Sequence, residues 1–174
     1  MKEENVVKKE IETLLPLAAG GNIDAQDDLA QLYLKLENQE ESVKWLHKAA
    51  EQGHVKALYQ LGMCYLYGKG APKNEAEAVK WLLQSAEQGF SLAQLALGKC
   101  YYYGIGISKD GVKAVEWFHK AADQRQALAW YFLGKCYLNG IGVFKDETKA
   151  SECFQNAEDQ GLLQATEQLH YFIQ

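Results

Sequence analysis

The chain repeats itself every 36 residues: Trp45, Trp81 and Trp117 stand at that interval, and the next step falls on Cys153. The same step carries Leu61-Gly62 to Leu97-Gly98 and Leu133-Gly134, and Cys64-Tyr65 to Cys100-Tyr101 and Cys136-Tyr137. It also carries Gly68-x-Gly70 to Gly104-x-Gly106 and Gly140-x-Gly142. Ala57, Ala93, Ala129 and Ala165 keep the register, as do Ala78, Ala114 and Ala150. A fixed period of this length restricts the chain to a stack of small units, each burying its apolar face against the next.

Within one unit, Ala57, Leu61 and Tyr65 recur at i, i+4 and i+8, which predicts a helix over residues 54–67. Ala78, Trp81, Leu82, Ser85 and Ala86 predict a second helix over 75–88. Glycine in the turn between them supplies the positive φ that a side chain resists. Asn74, Asp110 and Asp146 stand where an N-cap belongs, and Gly53, Gly89 and Gly161 where a left-handed residue ends the second helix. Arg125 fills that last slot in the third unit, which predicts about 1 kcal/mol of strain or a different cap. No strand pattern occurs, so the fold class is all-α. The predicted organisation is an N-terminal capping helix in 1–20, a degenerate repeat in 21–53, repeats in 54–89, 90–125 and 126–161, and a C-terminal capping helix in 162–174. The degenerate repeat steps by 32 residues, aligning Ala25, Leu29, Ala30 and Tyr33 with Ala57, Leu61, Gly62 and Tyr65, and Lys35-Leu36-Glu37-Asn38-Gln39 replaces its glycine loop.

The pattern Ala57-x-x-x-Leu61-Gly62-x-x-Tyr65-x-x-Gly68-x-Gly70, followed by Trp81 through Gly89, resembles the Sel1-like repeat family, relatives of the tetratricopeptide repeats. Trp45 through Ala49-Ala50-Glu51-Gln52-Gly53 carries the same signature. The resemblance implies a right-handed α-α superhelical solenoid that binds other proteins, as adaptors do. It also implies that some bacterial members act as immunity proteins that neutralise a toxin. Secreted, cysteine-rich members carry two cysteines per repeat joining the paired helices, and have a link to penicillin binding.

Composition narrows the chemistry. A net charge of −5 and a pI near 5.4 argue against nucleic acid, whose phosphates call for a basic face. No stretch approaches the roughly 20 apolar residues of a membrane helix. Cys64, Cys100 and Cys136 share one repeat position, where neighbours in a stack stand about 10 Å apart, beyond the ~7 Å reach of a disulfide. With no partner cysteine seen in any unit, they read as small buried residues suited to a reducing compartment. His47, His54, His119 and His170 are scattered, without C-x-x-C or H-E-x-x-H, and read as surface residues. The Gly-x-Gly pairs lie between helices rather than after a strand, so they read as turns and not as a phosphate cradle. Ser42, Ser85, Ser91, Ser108 and Ser151 lack the S-x-x-K lysine that would activate them, so an acyl-transfer or β-lactam-binding enzyme is disfavoured. The chain is expected to be no enzyme, and to need no cofactor or metal.

A binding surface remains. If Ala57, Leu61 and Tyr65 pack inward, Tyr59, Met63 and Leu66 face the groove lined by first helices. Their equivalents are Leu95, Lys99 and Tyr102, then Tyr131, Lys135 and Leu138; the first unit offers Asp27, Gln31 and Leu34. Aromatic residues with two aligned lysines suit a protein or peptide segment bearing hydrophobic and acidic side chains. Residues 1–53 hold 11 acidic and 6 basic residues, whereas 54–174 hold 12 of each, so the acidic end would orient a partner. The expectation is a monomeric adaptor in the cytoplasm, or in the periplasm had an export signal been removed. The alternative is a toxin-neutralising inhibitor.

Overall fold

Short polar side chains mark where five of the helices begin. Asn22, Asn38, Asn74, Asp110 and Asp146 each accept a hydrogen bond from the backbone N–H three residues on, filling a donor the first turn leaves open. The computed structural model describes residues 2–163, 165 and 168. Its helices are α1 (Lys2–Ala19), α2 (Ile23–Lys35), α3 (Gln39–Glu51), α4 (Val55–Tyr67), α5 (Glu75–Glu87), α6 (Ser91–Tyr103), α7 (Gly111–Asp123), α8 (Ala127–Asn139) and α9 (Glu147–Asp159). There is no strand among the described residues. The C-terminal helix expected over 162–174 lies largely outside them, although Ala165 is buried with Phe154 and Ala157.

The chain forms two units, residues 1–88 and 89–174. In the first, α2 pairs with α3 and α4 with α5, while α1 packs on α2 and α3 on α4. In the second, α6 pairs with α7 and α8 with α9, and α7 packs on α8. One contact recurs in every pair. Leu46, Leu82, Phe118 and Phe154 stand one period apart on the second helices, all fully buried. Opposite Leu82, a Cβ on Gly62 would lie only 2.8 Å from its Cγ; on Gly98 and Gly134 it would lie 2.6 Å from the rings of Phe118 and Phe154. The Leu-Gly dipeptides are therefore holes for a large side chain. Ala30 and Leu46 hold the equivalent positions in the degenerate repeat, both fully buried. Each such buried Leu or Phe stabilises the fold by about 1.5–3 kcal/mol.

The loops close identically in each unit. Asn74, Asp110 and Asp146 donate their backbone N–H to the carbonyls of Tyr65, Tyr101 and Tyr137, at 2.9, 3.0 and 3.0 Å. The second glycine of the loop is there for close approach: a Cβ on Gly142 would fall 2.0 Å from the carbonyl oxygen of Gly111, and one on Gly70 2.3 Å from that of Gln39. Glutamines staple the helix ends. Gln52 donates to Gln26 at 2.8 Å, and Gln26 passes the chain on to the Ala18 carbonyl at 3.0 Å. Two periods further on, Gln124 donates to Gln94 at 2.8 Å and to the Gly89 carbonyl at 3.0 Å.

Arg125 takes the left-handed conformation at φ 62°, where the other units use glycine, so the expected strain is present. Glu37 does the same at φ 57°, at the turn that replaces the missing glycine loop. Two outcomes follow in a urea melt. Gly98→Ala, which drives a methyl into the Phe118 ring, lowers stability by about 1–3 kcal/mol. Arg125→Gly raises it by up to about 1 kcal/mol, because the relief of strain exceeds the added freedom of the unfolded chain.

Candidate functional site

The first helices carry the residues expected to face a partner, and the two units use them differently. In residues 1–88 the polar members satisfy one another. Asp27 is only 7% exposed. Its Oδ2 accepts from Lys56 Nζ at 3.3 Å, its Oδ1 accepts from Gln31 Nε2 at 3.3 Å, and His54 Nδ1 stands 3.9 Å away. Gln31 and Gln60 exchange two amide hydrogen bonds, at 2.9 and 3.2 Å. The reading of Asp27 as a groove contact is thus corrected. Stacking α2 on α3 and α3 on α4 brings Lys56 to a carboxylate 29 residues earlier, and a buried acid is costly to leave unpaired. Tyr59 and Met63 are half-buried, and burial, with Tyr67 nearby, pushes the Tyr59 phenol above its ordinary pKa. Tyr67, at i+4 from Met63, is 58% exposed.

In residues 89–174, Leu95 and Tyr102 are also corrections, at 9% and 7% exposed. Tyr102 turns inward: its ring centroid lies 5.6 Å from that of Phe132 and 6.2 Å from that of Phe118, while Phe118 and Phe132 stack at 5.0 Å. The outward aromatic is Tyr103, 52% exposed and edge-on to Tyr102 at 4.8 Å. Counting i+4 from Lys99, rather than i+3, finds Tyr103, and the same count from Met63 finds Tyr67. Lys99, Tyr131, Lys135 and Leu138 are half-buried. Lys99 Nζ stands 5.8 Å from the Phe132 centroid, and Lys135 Nζ stands 5.9 Å from the same ring, 5.8 Å from Tyr131 and 6.0 Å from Tyr102. These distances lie at the outer limit of cation–π attraction, which spends little of either ammonium's capacity to bind.

The other titratable groups are structural. His47, expected on a solvated face, is half-buried; its Nε2 lies 2.8 Å from the Tyr65 hydroxyl, and its ring meets Trp81 edge-on at 5.7 Å. His119 is half-buried too, and His170 lies outside the described residues. Among the described residues no three His, Cys, Asp or Glu side chains gather as a metal site. The four cysteines are free thiols. Cys153 corrects the expectation that none has a neighbour across its helix pair. It occupies the slot held elsewhere by tryptophan and lies near enough to act on Cys136. Burial, aided by Cys153, pushes the Cys136 thiol up to about 12, and burial lifts Cys153 to about 11.

Helix pairs of this kind define an α-solenoid repeat protein. The family description "Sel1 repeat" matches residues 23–54, 55–90, 91–126 and 127–162, and the chain belongs to that family. Its structure is similar to a protective antigen of uropathogenic Escherichia coli, c5321, which displays the same repeat fold: 34% identity, TM-score 0.88, covering 92% of this chain and 35% of that one. It is similar as well to a Sel1 repeat protein of Oxalobacter formigenes, at 32% identity and TM-score 0.80 over 91% of this chain and 65% of the other. Helicobacter pylori cysteine-rich protein B follows at 26% identity and TM-score 0.57, over 72% and 95%. The chain thus spans about a third of the E. coli antigen and under two thirds of the Oxalobacter protein. No curated protein matches it at a significant level.

The raised thiol pKa values set a pH window. An unfolded chain ionises Cys136 near 9 whereas the folded one holds its proton to about 12, so stability from this group is intact below pH 9 and is lost as pH climbs toward 12. Replacing Cys136 with Ala therefore flattens the alkaline limb of a stability–pH curve. In the native protein at pH 7.5, Cys136 and Cys153 react with iodoacetamide far more slowly than in urea, measured by mass spectrometry.

Proposed function

We propose that this chain is a non-catalytic adaptor that captures a segment of a partner protein on the outward stripes of its first helices. Sel1 repeat proteins generally mediate protein–protein interactions, and their solenoid fold is typically non-catalytic. The observation that carries the reading for this chain is an outward tyrosine closing a first helix in each unit, Tyr67 on α4 and Tyr103 on α6. Tyr67 and Tyr103 are 58% and 52% exposed, and each continues a stripe that already carries a half-buried residue, Met63 or Lys99. Aromatic side chains left open to water supply large contact area at small entropic cost when a partner covers them. In the second unit Tyr131 and Leu138 extend that apolar surface, with Lys99 and Lys135 among them. This composition supports a partner segment bearing both hydrophobic and acidic side chains.

The toxin-neutralising role is a special case of the same binding, and no described residue favours it over the adaptor. The test is a comparative capture from native lysate. A variant with Tyr67, Tyr103 and Tyr131 all changed to Ser loses the proteins that the wild type retains, by at least tenfold in quantitative mass spectrometry, while circular dichroism is unchanged. A variant of Val112, an exposed apolar residue on a second helix, retains them. Equal capture by the triple variant overturns the proposal.

A further inference from the structure

Lysine is the residue a folded chain most readily leaves in water, and this chain follows the rule with two exceptions. Among the lysines whose side chains are described, all are exposed except Lys99 and Lys135, which are half-buried. Many of the exposed ones pair with acids: Lys8 with Glu4, Lys44 with Glu41, Lys73 with Glu75, Lys80 with Glu77, Lys113 with Asp110 and Lys149 with Asp146. Lys99 and Lys135 have no carboxylate and no hydrogen-bond acceptor among the described residues. Several exposed lysines also lack a counter-ion, but water hydrates them fully; at Lys99 and Lys135 the burial limits that hydration.

They also converge. Both ammonium groups stand within 6 Å of the centroid of Phe132, Lys99 at 5.8 Å from α6 and Lys135 at 5.9 Å from α8. The ring is itself buried, and the half-exposed Tyr103 and the half-buried Tyr131 border it, with centroids 6.2 and 5.8 Å away. The geometry points to a carboxylate seat in the second unit: acidic side chains of a peptide segment lie against Lys99 and Lys135, and an adjacent aromatic side chain of that segment packs on Tyr103 and Tyr131. This inference rests on the protein-binding reading and adds the place in the second unit where the segment's acidic and aromatic side chains sit. Each acidic side chain seated here gains a charged hydrogen-bond donor in a setting of low hydration, where such contacts are strongest. The first unit offers no equivalent, because its buried acid already holds Lys56.

The distinguishing experiment uses blocked tripeptides as probes, followed by NMR of isotope-labelled protein: acetyl-Glu-Phe-Glu-amide, its Gln-Phe-Gln and Lys-Phe-Lys counterparts, and inorganic phosphate. The glutamate peptide is expected to shift the signals of Lys99, Lys135, Tyr103 and Tyr131 and to bind at least tenfold more tightly than the glutamine peptide. The Lys99→Glu, Lys135→Glu variant is expected to reverse the preference toward the lysine peptide. Lys99→Gln with Lys135→Gln, which adds no new charge, is expected to abolish discrimination if the charge-reversed protein does not fold. Equal binding of glutamate and glutamine peptides, shifts spread over the exposed lysines, or the same shifts from phosphate alone would overturn the seat. Capture that depends on Tyr67, Tyr103 and Tyr131 but ignores the lysines would overturn the seat and leave the protein-binding reading standing.

Discussion

One steric fit governs this molecule: a large side chain on the second helix of each pair enters a space kept open by the smallest residue on the first. Leu82 against Gly62, Phe118 against Gly98 and Phe154 against Gly134 bring paired helices closer than any other residue at those glycines would allow. Protein interiors tolerate little change of volume, so this contact fixes where both helices of a pair sit. The loop is fixed in turn, because its second glycine must pass a neighbouring backbone at a distance that excludes a Cβ. The repeat is thus a consequence of two close approaches, one between helices and one at the loop.

Committing one stripe of every first helix to that fit leaves another stripe for the exterior, and there the two units diverge. In the first, Asp27, Lys56, Gln31 and Gln60 consume one another's hydrogen-bonding capacity. These polar groups offer a partner little, since breaking a satisfied network costs about as much as it returns, and the aromatic Tyr67 remains open there. In the second, the corresponding positions hold lysines beside aromatic rings, and their charges are unanswered within the described residues. Phe in place of Leu at the core slot contributes to this difference. Phe118 stacks on Phe132 and draws Tyr102 inward, which leaves Tyr103 as the aromatic facing out.

The period of 36 residues was enough to establish helix pairs, their capping residues at Asn74, Asp110 and Asp146, and the family to which the chain belongs. Those features are local or strictly periodic, so a linear reading captures them. Arg125 is the same kind of case: its slot demands a left-handed backbone whatever surrounds it. Asn22 and Asn38 cap their helices equally well, but the degenerate repeat hid them by breaking the period. Of the residues expected to face a partner, Asp27, Leu95 and Tyr102 are buried instead. Tyr102 and Tyr103 are neighbours in sequence, and Tyr102 is the one buried, against Phe118 and Phe132.

What the sequence determined by itself was the repeating architecture, because helix periodicity, caps and turn glycines act over a few residues and need no knowledge of neighbours. What only the tertiary structure decided was the state of each polar side chain. Asp27 looked like an exposed acid until α4 brought Lys56 to it, and Cys153 looked like a lost tryptophan until the pairing of α8 with α9 brought it near Cys136. Lys99 and Lys135 looked like any aligned lysines until the fold placed both beside one ring without a counter-ion. Pairing of charges depends on distances across helices, and those distances exist only once the large side chains have entered their glycine holes.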